Sequence, residues 1–193
     1  PWNARYAKNF WHLPLPDQPL SDIALPNGIR YRCVEPLRTY EIGYLDPDDG
    51  AFAVDLTFEG ILEPNRLGET HLDQPGRYTG TMTLEGETIA VDAYGMRDRS
   101  WGPRSQFGAD LHGSGAVRGG YSYATASADD GFHVITMDWG DGAIAIHGYV
   151  NRGGEYARVA SGRRDVLARA GGAPSRVRLE LTDELGRTLT AEG

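Results

Sequence analysis

One segment concentrates the residue types that carry chemistry: Tyr94-Gly95-Met96-Arg97-Asp98-Arg99-Ser100-Trp101-Gly102-Pro103-Arg104. Three arginines, a carboxylate and a tryptophan stand within eight residues, 97–104. An extended strand through it puts Asp92, Tyr94, Met96, Asp98 and Ser100 on one face. Gly95, Arg97, Arg99 and Trp101 take the other. The first face reads as the wall of an apolar pocket with one ionisable group, the usual make-up of a small-molecule site. Asp98 and Tyr94 are the catalytic candidates on this face. In apolar surroundings Asp98 stays protonated and acts as a general acid, while Tyr94 polarises a substrate or orients a water. Met96, Trp101, Asp92, Arg97 and Arg99 are the ligand-binding candidates. A structural reading competes: a largely buried Trp101 capped by Arg97, Arg99 or Arg104, with Asp98 bridging Arg97 or Arg99 through paired hydrogen bonds.

The remaining polar residues offer less. The five histidines, His12, His71, His112, His133 and His147, are scattered. His71-Leu72-Asp73 places two metal-ligand types on one strand face, but zinc usually takes three or four protein ligands. No third stands at a telling spacing, so no metal is expected. GxxxxGK[ST], HExxH, GxSxG and CxxC are all absent. Gly113-Ser114-Gly115 followed by Gly119-Gly120 lacks the strand–turn–helix setting of a dinucleotide loop, so it reads as a connection and no cofactor is expected.

Composition narrows the class. The 193 residues carry a net charge of −8, and 101–193 has no basic excess. A nucleic-acid binder would show a basic face. No run approaches the roughly 18 apolar residues of a membrane helix. Cys33 is alone and closes no internal disulfide, which points to the cytoplasm, with the periplasm also open. No signal peptide is visible at Pro1-Trp2-Asn3-Ala4-Arg5. The chain, starting without Met and ending directly after a strand-like run, reads as a piece of a longer protein. Its oligomeric state is not legible.

The elements that must position these residues are strands. Residues 1–28 hold five of the eleven prolines and read as an extended arm. From Ile29 onward the period is two: Phe52, Val54, Leu56 and Phe58 alternate with polar or small residues, as do Val177, Leu179 and Leu181. Phe132, Val134 and Thr136 alternate with His133, Ile135 and Met137. Tight-turn signals separate the runs, among them Glu85-Gly86, Asp129-Asp130-Gly131 and Asn151-Arg152-Gly153-Gly154. About ten strands are predicted, with under a tenth of the chain helical. The fold class is all-β: an antiparallel lipocalin-like barrel or two partial barrels. Arg163–Ala170 fits a short helix or a strand. Three parts follow: the arm 1–28, a first β unit 29–101, and 102–193, a Gly-rich connection leading into a second. Phe52, Val54, Leu56, Phe58, Val134 and Leu179 are the predicted core.

Arg97-Asp98-Arg99-Ser100-Trp101-Gly102-Pro103-Arg104 resembles the Arg-Asp-His-Ser-Trp-Gly pattern of a lipocalin-like superfamily of AttH-like proteins, carotenoid 1,2-hydratases (hydroxyneurosporene synthases) and fungal Diels–Alderases. His71-Leu72-Asp73-Gln74-Pro75-Gly76 and the hairpin at Leu84–Glu87 also look like an uncharacterised bacterial branch of it. The resemblance covers roughly 29–150 and implies paired lipocalin-like barrels holding greasy substrates. By that resemblance Asp98 matches the hydratases' proposed acid and His71 their upstream histidine, which makes His71 a third catalytic candidate that polarises a substrate or orients a water. Met96 stands where a tyrosine is expected, and Arg99 replaces the histidine after the aspartate. Three functions follow: hydratase/lyase or isomerase chemistry on an isoprenoid-, polyketide- or lipid-like molecule; a non-catalytic carrier or sensor of such a ligand; and a shape-selective pericyclase.

Overall fold

A computed structural model describes residues 17–47, 50–101, 118–138 and 142–193. Strands make up 74% of the described residues, and none of these is helical. Thirteen strands follow in order: β1 (Asp22–Ala24), β2 (Ile29–Glu35), β3 (Thr39–Leu45), β4 (Phe52–Gly60), β5 (Asn65–Leu67), β6 (His71–Leu84) and β7 (Glu87–Ser100), then β8 (Arg118–Thr125), β9 (Gly131–Asp138), β10 (Ala143–Arg152), β11 (Glu155–Ala170), β12 (Ala173–Asp183) and β13 (Thr188–Glu192). Arg163–Ala170 is therefore strand. No helix among the described residues is long and apolar enough to cross a membrane.

The strands form two curled antiparallel half-barrel sheets. One runs β1-β2-β3-β4-β6-β5, with β7 also paired to β6; the other is the meander β13-β12-β11-β10-β9-β8. The turn chemistry in the sequence explains the hairpins. Arg152 pairs with Glu155, leaving Gly153 and Gly154 as a two-residue loop with φ of 62° and 78°. Positive φ at both positions matches strand twist, and glycine adopts it without a Cβ clash.

The chain divides into two compact units: residues up to Glu63 with Pro75–Gly95, and Pro64–Gln74 with Met96–Gly193. Part of the expected arm is strand, because β1 pairs Asp22–Ala24 with Arg30–Arg32. Residues 1–16, and most of the Gly-rich connection expected from 102, lie outside the described residues.

In the first unit Phe58 is buried between the rings of Tyr40 and Tyr78. Phe52, Val54 and Leu56, expected in the core, are only half-buried. They lie on the same sheet, and among the described residues of that unit no second layer covers it. In the second unit Val134, Val150, Leu179 and Leu181 form the core, with Phe132, Ala145, Val159 and Val177 against them. Burying each such side chain stabilises by about 1.5–3 kcal/mol. The opposite face of β9 and β10 carries the polar residues described next.

Candidate functional site

The site belongs to the second unit and is built from six strands. From β6 come His71 and Asp73, two residues apart and so on one face. Asp98 and Ser100 come from β7, again with matching parity. His133 is on β9 and His147 on β10. Asn65 is on β5, and Tyr156 on β11 completes the set.

Local irregularities aim these groups. The β9–β10 register shifts between Ala145 and His147, a bulge that sets His147 opposite Ile135 and Tyr149 opposite His133. Gly148 lies between them, where a Cβ would stand 2.2 Å from the His133 carbonyl oxygen. Only glycine lets the two strands approach this closely.

Asp73 is the centre. Its side chain is 0% exposed, and Oδ2 lies 2.9 Å from His71 Nε2, 3.6 Å from His133 Nδ1 and 3.8 Å from His147 Nε2. The other oxygen, Oδ1, has no hydrogen-bond partner among the described residues. Burial pushes the Asp73 carboxyl above its ordinary value, against the opposing pull of the His71 hydrogen bond. His133 is fully buried, with neither ring nitrogen hydrogen-bonded among the described residues. Burial, then the neighbouring imidazoles, lowers its pKa to about 4. His147 falls to about 4, through burial and then the charge of His71, partly offset by a hydrogen bond to the Asn65 backbone. Both rings are therefore neutral at pH 7.

A second layer fixes His147. The Tyr156 hydroxyl donates to Asn65 Oδ1 at 3.1 Å, which leaves the Asn65 amide nitrogen to donate to His147 Nε2 at 3.0 Å. His147 Nε2 is thus an acceptor and carries its proton on Nδ1.

His71 links this interior to the surface. Its Nδ1 is 2.8 Å from Ser100 Oγ and 3.8 Å from Asp98 Oδ1, and its side chain is 12% exposed. Asp98 is 47% exposed. His71, Asp73 and Asp98 offer ligand atoms within 4.8 Å of one another, enough to hold a cation. In this structure the ring nitrogens of His71 are instead within hydrogen-bond distance of Ser100 Oγ and Asp73 Oδ2. Ser100, His71 and Asp73 also have the connectivity of a nucleophilic triad. In that device the aspartate is buried and hydrogen-bonded to the imidazole, as Asp73 is to His71.

The other expected site residues lie elsewhere or apart. Asp92 forms an exposed bidentate pair with Arg77, both contacts 2.7 Å, in the first unit, where Tyr94 is also exposed. Met96 and Arg97 are half-buried and Arg99 is exposed. Arg99 lies 5.9 Å from the Trp101 ring centroid, but Trp101 is 40% exposed and not the buried plug expected. Its backbone N–H donates to Thr70 O just past the end of β7. Gly102, Pro103 and Arg104 lie outside the described residues.

Sequence reasoning missed His133, His147 and Asn65. The signal for His133 was present: it sits mid-strand between Phe132 and Val134, where burial on either face is expected. Its convergence with Asp73 depends on the pairing of distant strands.

A family model described as a domain of unknown function, DUF7064, matches residues 3–193. The chain belongs to the DUF7064 family. No curated protein and no solved structure matches it. For this DUF7064 member, the geometry of the site is therefore the main guide to its chemistry.

Proposed function

We propose that the chain binds a small hydrophobic molecule, isoprenoid-, polyketide- or lipid-like, and carries out hydro-lyase- or isomerase-type acid chemistry at Asp98 and His71. One observation carries the reading: His71 Nδ1 stands 3.8 Å from Asp98 Oδ1 at the surface end of a buried, hydrogen-bonded array. The sheet face that bears His133 and His147 supports it. Tyr121 pairs with Ile135, Tyr123 with His133, and Ile144 with Met137 on that face. Tyr121, Tyr123 and Ile144 are each at least half exposed, an apolar surface open to a ligand. The resemblance of the 97–104 motif to the hydratases points the same way, as does reading the half-barrels as lipocalin-like. The lone Cys33 favours a cytoplasmic setting.

In this reading a protonated Asp98 gives its proton to one alkene carbon, leaving a cation on the other. Water adds to that cation and yields its proton to the Asp98–His71 pair, or a neighbouring C–H is lost to the same pair. The first outcome is hydration, the second isomerisation. Proton transfer by a placed group contributes about 10²–10⁴-fold. The half-exposure of Asp98 favours a second reading, a non-catalytic carrier on the same face, because water there solvates the anion.

The test uses acyclic isoprenoid alkenes in deuterium oxide, with mass spectrometry of the extracted products. Deuterium at carbon, lost by about 100-fold or more in Asp98→Asn, supports the acid. Binding of the neutral probe N-phenyl-1-naphthylamine without deuterium incorporation leaves the carrier. Absence of both overturns the proposal.

A further inference from the structure

We propose that Ser100, His71 and Asp73 form a working nucleophilic triad, in which Ser100 Oγ is acylated by esters of apolar acids and water then hydrolyses the acyl group. The inference goes beyond the acid reading and does not rest on it.

A hairpin brings the three together. Strands β6 and β7 meet at Glu85 and Gly86, a two-residue loop with φ of 51° and 87°. Such a loop sets the strand register. Thr83 and Thr88 face each other with their hydroxyl oxygens 3.1 Å apart, and at the far end the Trp101 N–H reaches Thr70 O. In that register His71, the first residue of β6, stands opposite Ser100, the last of β7. Asp73 shares the face of His71.

The contacts have the order and the burial gradient of an activated nucleophile. Ser100 is exposed, His71 is 12% exposed and Asp73 is 0% exposed. Ser100 Oγ lies 2.8 Å from His71 Nδ1, and His71 Nε2 lies 2.9 Å from Asp73 Oδ2. Both distances are within the reach of roughly 2.6–3.2 Å that links nucleophile, base and orienting group. As a carboxylate, Asp73 accepts from His71 Nε2–H, which leaves Nδ1 bare toward the Ser100 hydroxyl. In the familiar triad Nε2 meets the hydroxyl and Nδ1 the aspartate. Here the two nitrogens trade places, and geometry sets the roles.

Ser100 Oγ attacks the ester carbonyl while its proton passes to His71 Nδ1. The adduct collapses to acyl-Ser100, and that proton leaves with the alcohol. Water then gives a proton to Nδ1 and attacks the acyl carbon; the acid departs and the proton returns to Oγ. The N–H of Trp101 is engaged with Thr70 O and is not a donor to the carbonyl oxygen. Base assistance alone contributes about 10²–10⁴-fold, which suits substrates with good leaving groups. An apolar acyl chain fits the surroundings: His133, 3.6 Å from Asp73, has the ring of the half-exposed Tyr121 at 5.8 Å.

The test treats the full chain with a fluorophosphonate probe and finds the labelled residue by peptide mass spectrometry. Attack by Oγ on phosphorus expels fluoride, and His71 takes the proton. The expected label is on Ser100, is absent from Ser100→Ala and from the urea-unfolded parent, and survives EDTA. With p-nitrophenyl butyrate, kcat should fall by about 100-fold or more in His71→Gln and Asp73→Asn with KM unchanged. A merely structural Asp73 would lower the folded fraction and leave kcat per folded molecule unchanged, which overturns the proposal. No label on Ser100 in the folded parent, a label that persists on unfolding, or one that needs added divalent metal overturns it equally. These readouts on the unmutated chain keep the test decisive if the variants do not fold. None involves an alkene, so failure of the acid reading shows separately, as absence of deuterium at carbon.

Discussion

Asp73 Oδ2 and His133 Nδ1 stand 3.6 Å apart with both side chains fully buried, and no arginine or lysine pairs with either among the described residues. Burial opposes the charged form of each. Their proton affinities follow, and with them a pH dependence of folding.

His133 takes a proton near 6.5 when unfolded and only near 4 when folded. Between those values the unfolded chain binds more protons, so stability falls as pH drops from about 6.5 toward 4. Each unit of separation is worth about 1.4 kcal/mol. His147 adds a contribution of the same sign. Asp73 acts oppositely: its raised carboxyl contributes stability below the ordinary carboxyl value, lost as pH rises through its folded value. Melting temperatures of the parent should drop over that window, and those of His133→Phe should drop less. Parallel curves would rule out His133 as a source of the slope.

Asp98→Asn should fold almost as well as the parent. The carboxylate is half exposed, and its one ion pair described here is with His71, so no arginine loses a partner. A change within about 0.5 kcal/mol is expected for such a site. A loss beyond 2 kcal/mol in urea unfolding would point to a structural role for Asp98.

Trp101→Ala should also be mild. Its exposure and a single distant guanidinium suggest a cost of about 1 kcal/mol, the scale of an exposed cation–π contact. A buried tryptophan would cost roughly 3–5 kcal/mol. Thermal denaturation distinguishes the two.

Gly148→Ala should be severe. The new methyl would meet the His133 carbonyl at 2.2 Å, and backbone atoms on a paired strand have little room to yield. Overpacking typically costs about 1–3 kcal/mol. Here the displaced strands are those that carry His133 and His147, so the His133 ring signals should shift as well. An unperturbed His133 NMR spectrum would contradict this geometry.

The strands were legible because Phe52-to-Phe58 and Val177-to-Leu181 alternate cleanly and because Gly153-Gly154 admits one kind of turn. Parity along β7 also placed Asp98 and Ser100 together, as observed beside His71. Burial in the first unit was less legible: Val54 and Leu56 alternate correctly, yet whether a second layer covers them depends on parts of the fold that periodicity does not describe. The polar centre was the least legible. His71 and Asp73 are two residues apart, but Asn65, His133 and His147 reach them only through long-range pairing and a bulge at Ala145–His147. No local pattern marks either.

The segment Pro64–Gln74 belongs with Met96–Gly193 although twenty-one residues of the other unit, Pro75–Gly95, intervene. Asn65, His71 and Asp73 therefore lie on one side of any cut near residue 95, and Asp98, Ser100, His133 and His147 on the other. A gene fragment encoding either side alone inherits only part of this polar cluster. The arrangement passes on only when both stretches are inherited together.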